Sequence, residues 1–194
     1  MTFPDFKNLI VISVTEPAKA AVFLTKLAVP RDVLWASLIL VAILNTILLT
    51  VFHLLVPSLT NVPAMPNHPF SSLVFFVCGL ILIIYGIFWT GRWMGGQGTL
   101  EDVMTLMVWL QMLQVIFQAG TLILIILLPT LAAFAVIGEA ILGTYILLHF
   151  VNAGHQLNSL WHAAGVVIAL VALVAIVIVL VLPLFWVTLA GGLV

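Results

Sequence analysis

Glu139 stands in the middle of the apolar stretch AVIGEAILG, and it is the only acidic residue placed well inside such a stretch. A carboxylate in that setting has three chemistries open to it. It bonds neighbouring helices together, it serves a proton or solute passing along a polar path, or it meets a partner. Gln111, Gln114 and Gln118 recur at i, i+3 and i+7, so their amides form one stripe on a helix. Asn45 and Thr46 sit at the centre of another apolar run. Counting back from Pro129 in an antiparallel hairpin puts Gln118 level with Glu139 and Gln114 level with Tyr145. The spacing predicts a buried polar seam of Glu139, Gln118, Gln114, Gln111 and Asn45, with Gln118 and Asn45 as bonding partners of the glutamate.

Other chemistry finds little support. Ser71, Ser72 and Ser159 lie at the ends of apolar runs with no base beside them, so no nucleophile is activated. Among the five histidines, His149, His155 and His162 are spaced by six and seven residues, which matches no zinc pattern. The expectation is therefore no catalytic set, no metal and no cofactor. The stretch GRWMGGQGTLEDVMT raises a phosphate-loop question, but no lysine followed by Ser or Thr comes after GGQG. Glu101 and Asp102 would also repel phosphate. Gly95, Gly96 and Gly98 instead suit a hinge that stops one helix, with Thr99 capping the next.

The elements that position these residues must lie in lipid. Of 194 residues, 65% are hydrophobic and 6% charged, with a mean hydropathy of +1.40. A soluble domain carries about 25% charged residues. Five runs approach or exceed the ~20 apolar residues that cross ~30 Å of hydrocarbon. They cover 33–56, 71–89, 103–128, 130–151 and 163–187, and their length makes them helices rather than barrel strands. The fold class is thus all-α integral membrane, with five transmembrane helices forming one domain over 32–190. Residues 1–31 form a cytoplasmic segment. Within it, Thr15 and Pro17 open a helix whose apolar stripe is Ala20, Ala21, Leu24, Leu27 and Ala28. The composition predicts an amphipathic interfacial helix, with Lys19, Lys26 and Arg31 reaching basic groups to the membrane surface. The competing placement is a helix packed under the bundle.

Lys7, Lys19, Lys26 and Arg31 precede the first span, and Arg92 follows the second. The excess of Lys and Arg on cytoplasmic segments puts the N-terminus inside and, after five spans, the C-terminus outside. The loop PSLTNVPAMPNHPF falls outside, stiffened by four prolines. Trp89, Trp93, Trp161 and Trp186 lie at span ends as an aromatic belt. The net charge of -1 gives no reason to expect nucleic acid, and the single cysteine excludes an internal disulfide.

The helix opening at Glu16-Pro17, the GGQGTLEDVM element, the LPT turn at Leu128–Thr130 and the LNSLWHAAGV approach to the last run together resemble the Yip1 family in its compact bacterial form, over about residues 10–190. The resemblance implies an integral inner-membrane protein of a bacterium without an established catalytic activity. It marks Glu16, Pro17, Gly95, Gly96 and Gly98 as structural positions. The functional expectation is a membrane-organising or accessory subunit of a larger membrane complex. Its partners are membrane lipids and other integral membrane proteins or a second copy of itself. The alternative is a small transporter or channel built on the seam around Glu139.

Overall fold

A computed structural model describes residues 6–55 and 68–191, with the side chains of the last helix described as far as Ile176 and at Val179. The outer loop, the extreme C-terminus and the Trp186 side chain expected above lie, wholly or largely, outside the described residues.

Among the described residues seven helices follow in order: α1 (Phe6–Thr15), α2 (Pro17–Thr25), α3 (Arg31–Leu55), α4 (Pro69–Trp93), α5 (Leu100–Leu127), α6 (Pro129–His155) and α7 (Leu160–Gly191). No strand occurs among the described residues. Four helices, α3 to α6, are long and apolar enough to cross a membrane. The described apolar stretch of α7, Leu160–Ile176, is shorter than a span, although its backbone stays helical to Gly191. Most of these helices run a few residues beyond the apolar runs that betray them. Backbone pairing continues into the polar interface, whereas hydropathy reports only the hydrocarbon.

Helix α5 is the centre of the bundle. It packs on α2, α3, α4 and α6, and α7 lies against α4 and α6. Near its start α5 buries five consecutive residues, Val103 to Met107, which is possible only where neighbours cover every side. The rest of the core gathers at the same end: Leu34, Leu38 and Val41 on α3, Ile84 and Ile87 on α4, Ile146 and Phe150 on α6, Ala163 and Val166 on α7. Arg31, Arg92, Glu101 and Asp102 mark this as the charged end. Toward the opposite end, α3, α5 and α6 leave cavities between them.

The N-terminal segment closes the charged end. Its sequence is helical as expected, but it forms two helices, not one. Thr15 does not cap α2. It ends α1, and its hydroxyl donates to the Val11 carbonyl at 2.9 Å. Glu16 is the N-cap of α2 and makes no side-chain cap bond. Helix α1 escapes a hydropathy reading because its apolar run, LIVISV, is only six residues. The stripe of α2 is buried: Ala20 and Ala21 are 0% exposed, against α5 and α6. Leu27 and Ala28 fall beyond the helix, and Ala28 adopts a left-handed φ of 45°. The indole N–H of Trp109 on α5 donates to Ser13 Oγ at 2.9 Å, so α1 is pinned by a polar bond as well.

Candidate functional site

The α5–α6 hairpin turns on Leu128, which is at once the C-cap of α5 and the N-cap of α6. Pro129 occupies the first position of α6, where a missing N–H costs nothing. The hairpin carries Glu139 and the glutamines toward each other. The glutamate's hydrogen bond comes from the hydroxyl of Thr121, one helical turn beyond Gln118. Gln118 is the expected partner by depth, yet it makes no hydrogen bond to Glu139 among the described residues. The sequence count centred the turn on Pro129, whereas the Thr121–Glu139 bond centres it on Thr130. A shift of one at the turn moves the partner by two residues, and α5 then presents a threonine.

Two cavities flank the glutamate. One of about 310 Å³ is lined by Asn45, Gln118, Thr121 and Glu139 with Phe52 and Phe76. The other, about 240 Å³, is lined by Gln114, Gln118 and Glu139 with Leu110 and Phe117. Three of the other four seam residues, Asn45, Gln114 and Gln118, therefore share a cavity with Glu139, and Gln111 lines neither cavity. Asn45 is buried and gives its amide N–H to the Val41 carbonyl of its own helix at 2.9 Å. Tyr145 and His149 stack edge-to-face with ring centroids 4.7 Å apart. No His, Cys, Asp and Glu group able to hold a metal occurs among the described residues.

A second constellation lies at the charged end, and its centre is a histidine that sequence reasoning considered only for zinc spacing. His155, the last residue of α6, is fully buried. Its Nε2 lies 3.1 Å from the Ile87 carbonyl of α4. A carbonyl only accepts, so Nε2 carries the hydrogen, and on the neutral ring Nδ1 is then the acceptor. That Nδ1 is buried without a hydrogen-bond partner. The main chain of His155 is also engaged, its carbonyl accepting from Gln97 N–H at 2.9 Å.

Glycines make room for this ring. A Cβ on Gly91 would run into the imidazole, and one on Gly96 would lie 2.8 Å from the His155 Cβ. A Cβ on Gly98 would collide with the carbonyl oxygen of Gly154. Gly95 does a different job. Its φ of +89° and the bonds Gly95 N–H to Arg92 carbonyl (3.0 Å) and Gly96 N–H to Gly91 carbonyl (2.8 Å) close α4 in a Schellman motif. Thr99 and Asp102 then form a reciprocal capping box on α5, with both N–H···O bonds at 3.1 Å. The glycine turn that ends α4 is also a socket for a histidine from another helix. The signal available in the sequence was Gly91, four residues before Gly95, which a mere helix stop does not require.

Of the basic residues, Arg31 pairs with Glu101 and Lys19 with Glu16. Lys26 is exposed. The guanidinium of Arg92 lies 5.6 Å from the Phe88 ring centroid.

Comparison with known proteins agrees with this architecture. The family model described as the Yip1 domain matches residues 12–182, from α1 into α7. No curated protein and no solved structure matches the chain. The matched region includes the glycine socket, the capped start of α5, the Pro129 hairpin and all four long apolar helices, and the chain accordingly belongs to the Yip1 family, as a multi-pass, all-helical membrane protein.

Proposed function

We propose that this Yip1-family protein acts without catalysis, by lateral association in the bacterial inner membrane, as an accessory or membrane-organising subunit of a larger membrane complex. The observation that carries the reading is the outward face of α7. Ile168, Val171, Leu173 and Ile176 are exposed on it, with no polar side chain among them. Meanwhile α1 and α2 are drawn onto the bundle, which leaves few surfaces to recruit a partner from water. Large apolar exposure then favours lipid or another membrane helix.

In this reading α7 is the fifth span, the N-terminus is cytoplasmic and the C-terminus periplasmic. The basic groups of Arg31 and Arg92, at the start of α3 and the end of α4, favour that orientation. Native purification in a lipid-preserving detergent, with mass spectrometry of co-eluting chains, tests the proposal. A stoichiometric complex that dissociates on Ile168→Trp supports it. A chain that elutes alone, or a complex indifferent to that substitution, overturns it.

The second reading is a small transporter, favoured by the two cavities that Glu139 lines. Glu139→Gln separates the two. A transporter loses transport with its fold intact, whereas an associating subunit changes only modestly in stability.

A further inference from the structure

Among the described residues Glu139 forms no ion pair. The basic side chains at α3 and α4, Arg31 and Arg92, lie at the charged end. Glu139 is sixteen residues up α6 from its charged-end terminus at His155, which is roughly 24 Å of helix at 1.5 Å per residue. Among the described residues its one hydrogen bond is from the Thr121 hydroxyl. Gln118 lines both cavities beside it and Gln114 the smaller one, and neither side chain makes a hydrogen bond there among the described residues. An anion so placed in hydrocarbon is costly unless a cation or a proton joins it.

The surroundings select the kind of cation. Phe52 and Phe76 line the larger cavity beside the carboxylate, and ring faces attract positive charge. Asn45, Gln118 and Thr121 are the other polar residues of this wall, and leucine, isoleucine and valine side chains complete it. A third cavity of about 560 Å³ shares Phe52, Ile125 and Val136 with it and continues to Pro129, lined entirely by apolar residues. A small metal ion needs six or more oxygens to replace its water, which one carboxylate and a few amides do not supply. A cation already clothed in hydrocarbon loses little water and fills the apolar extension. Gln118 is exposed and Glu139 half-buried, so the groove opens sideways between helices. A ligand enters from the bilayer, where lipophilic cations concentrate.

We propose that the groove between α3, α5 and α6 binds a lipophilic organic cation, its charge on Glu139 and its apolar substituents along Phe52, Phe76 and the extension toward Pro129. The site is independent of association through α7, and its failure leaves that reading untouched.

The test is equilibrium binding of tetraphenylphosphonium to the full chain in phosphatidylcholine nanodiscs, with empty nanodiscs as the blank. Tetraphenylborate, of similar size and opposite charge, is the competitor. The expected result is saturable binding above the blank, unaffected by tetraphenylborate, with affinity falling about tenfold or more in Glu139→Gln. Glu101→Gln, at the charged end, leaves binding unchanged. Binding no greater than the blank, equal competition by the borate, or equal affinity in a folded Glu139→Gln overturns the proposal. If Glu139→Gln does not fold, Phe76→Ala decides. A several-fold loss with the carboxylate intact supports the site, and unchanged affinity overturns it.

Discussion

The Nε2 of His155 donates to the main-chain carbonyl of Ile87 at 3.1 Å, joining the end of α6 to the last turns of α4. The carbonyl is already within a helix, so the bond adds a partner to it and opens no helical pairing. The ring fills a socket formed by Gly91, Gly96 and Gly98. Truncation in His155→Ala removes that bond and leaves a hole walled by glycines, which have no side chains to move into it. The expected cost is about 2–4 kcal/mol. Thermal unfolding in detergent, followed by helical circular dichroism, measures it. A melting point unchanged from wild type is incompatible with a close-packed socket.

The glycines make opposite predictions from place to place. In Gly98→Ala the new methyl meets the Gly154 carbonyl oxygen, a backbone atom that cannot swing aside, and the expected loss is about 1–3 kcal/mol. A methyl added at Gly79 or Gly120 would find nothing within 4 Å. Gly120→Ala therefore stays within about 1 kcal/mol of wild type, toward stabilisation. The same melting experiment compares the two. Equal effects at 98 and 120 would show that helix propensity, not steric fit, governs these positions.

These two predictions mark where the sequence was legible and where it was not. Local chemistry could be read directly: the Thr99 cap, the Pro129 turn and the long apolar helices all depend on residues adjacent in the chain. Glu139 was also found, because an acid inside an apolar run is conspicuous wherever it points. The socket was not legible, since His155 is buried by glycines some sixty residues earlier and nothing near it in sequence foretells that. Nor was Thr121 as the partner of Glu139. Depth along a hairpin is sensitive to the centre of the turn, and a threonine offers no hydropathy signal. Helix α1 was missed because a short helix laid on a bundle needs only one apolar side.

Gly95 carries the φ of +89° that closes α4. A methyl there would meet nothing within 4 Å, so the effect of Gly95→Ala is conformational alone. The expected cost is about 1–2 kcal/mol, the penalty for an L-residue held left-handed. Gly95→Asn should recover part of it, because asparagine tolerates that region. The two melting points, compared in one detergent, check the ordering Gly above Asn above Ala.

Arg31 and Glu101 form an ion pair between the starts of α3 and α5, with side chains 66% and 36% exposed. Water screens such a pair, and its coupling is expected below about 1 kcal/mol. A double-mutant cycle of Arg31→Gln and Glu101→Gln, repeated at low and high salt, measures it. The coupling should shrink as salt rises. A coupling of several kcal/mol, insensitive to salt, would mean that the charged end is shielded from water.

Thr121 to Glu139 is the polar link across the α5–α6 hairpin. Thr121→Val keeps the shape and deletes the hydroxyl, so packing changes little and the hydrogen bond is lost. Bonds between membrane helices are worth about 0.6–2 kcal/mol, because the separated helices find other partners in lipid. Thr121→Val should fall by that amount and Thr121→Ser by less. In a Glu139→Gln background the amide still accepts from the hydroxyl, so Thr121→Val should again cost something, but less than beside a carboxylate. The four melting points close a cycle whose coupling isolates the contribution of the charge. A cycle with zero coupling would mean that the carboxylate and the hydroxyl do not meet, and that Glu139 faces its cavities without any support from α5.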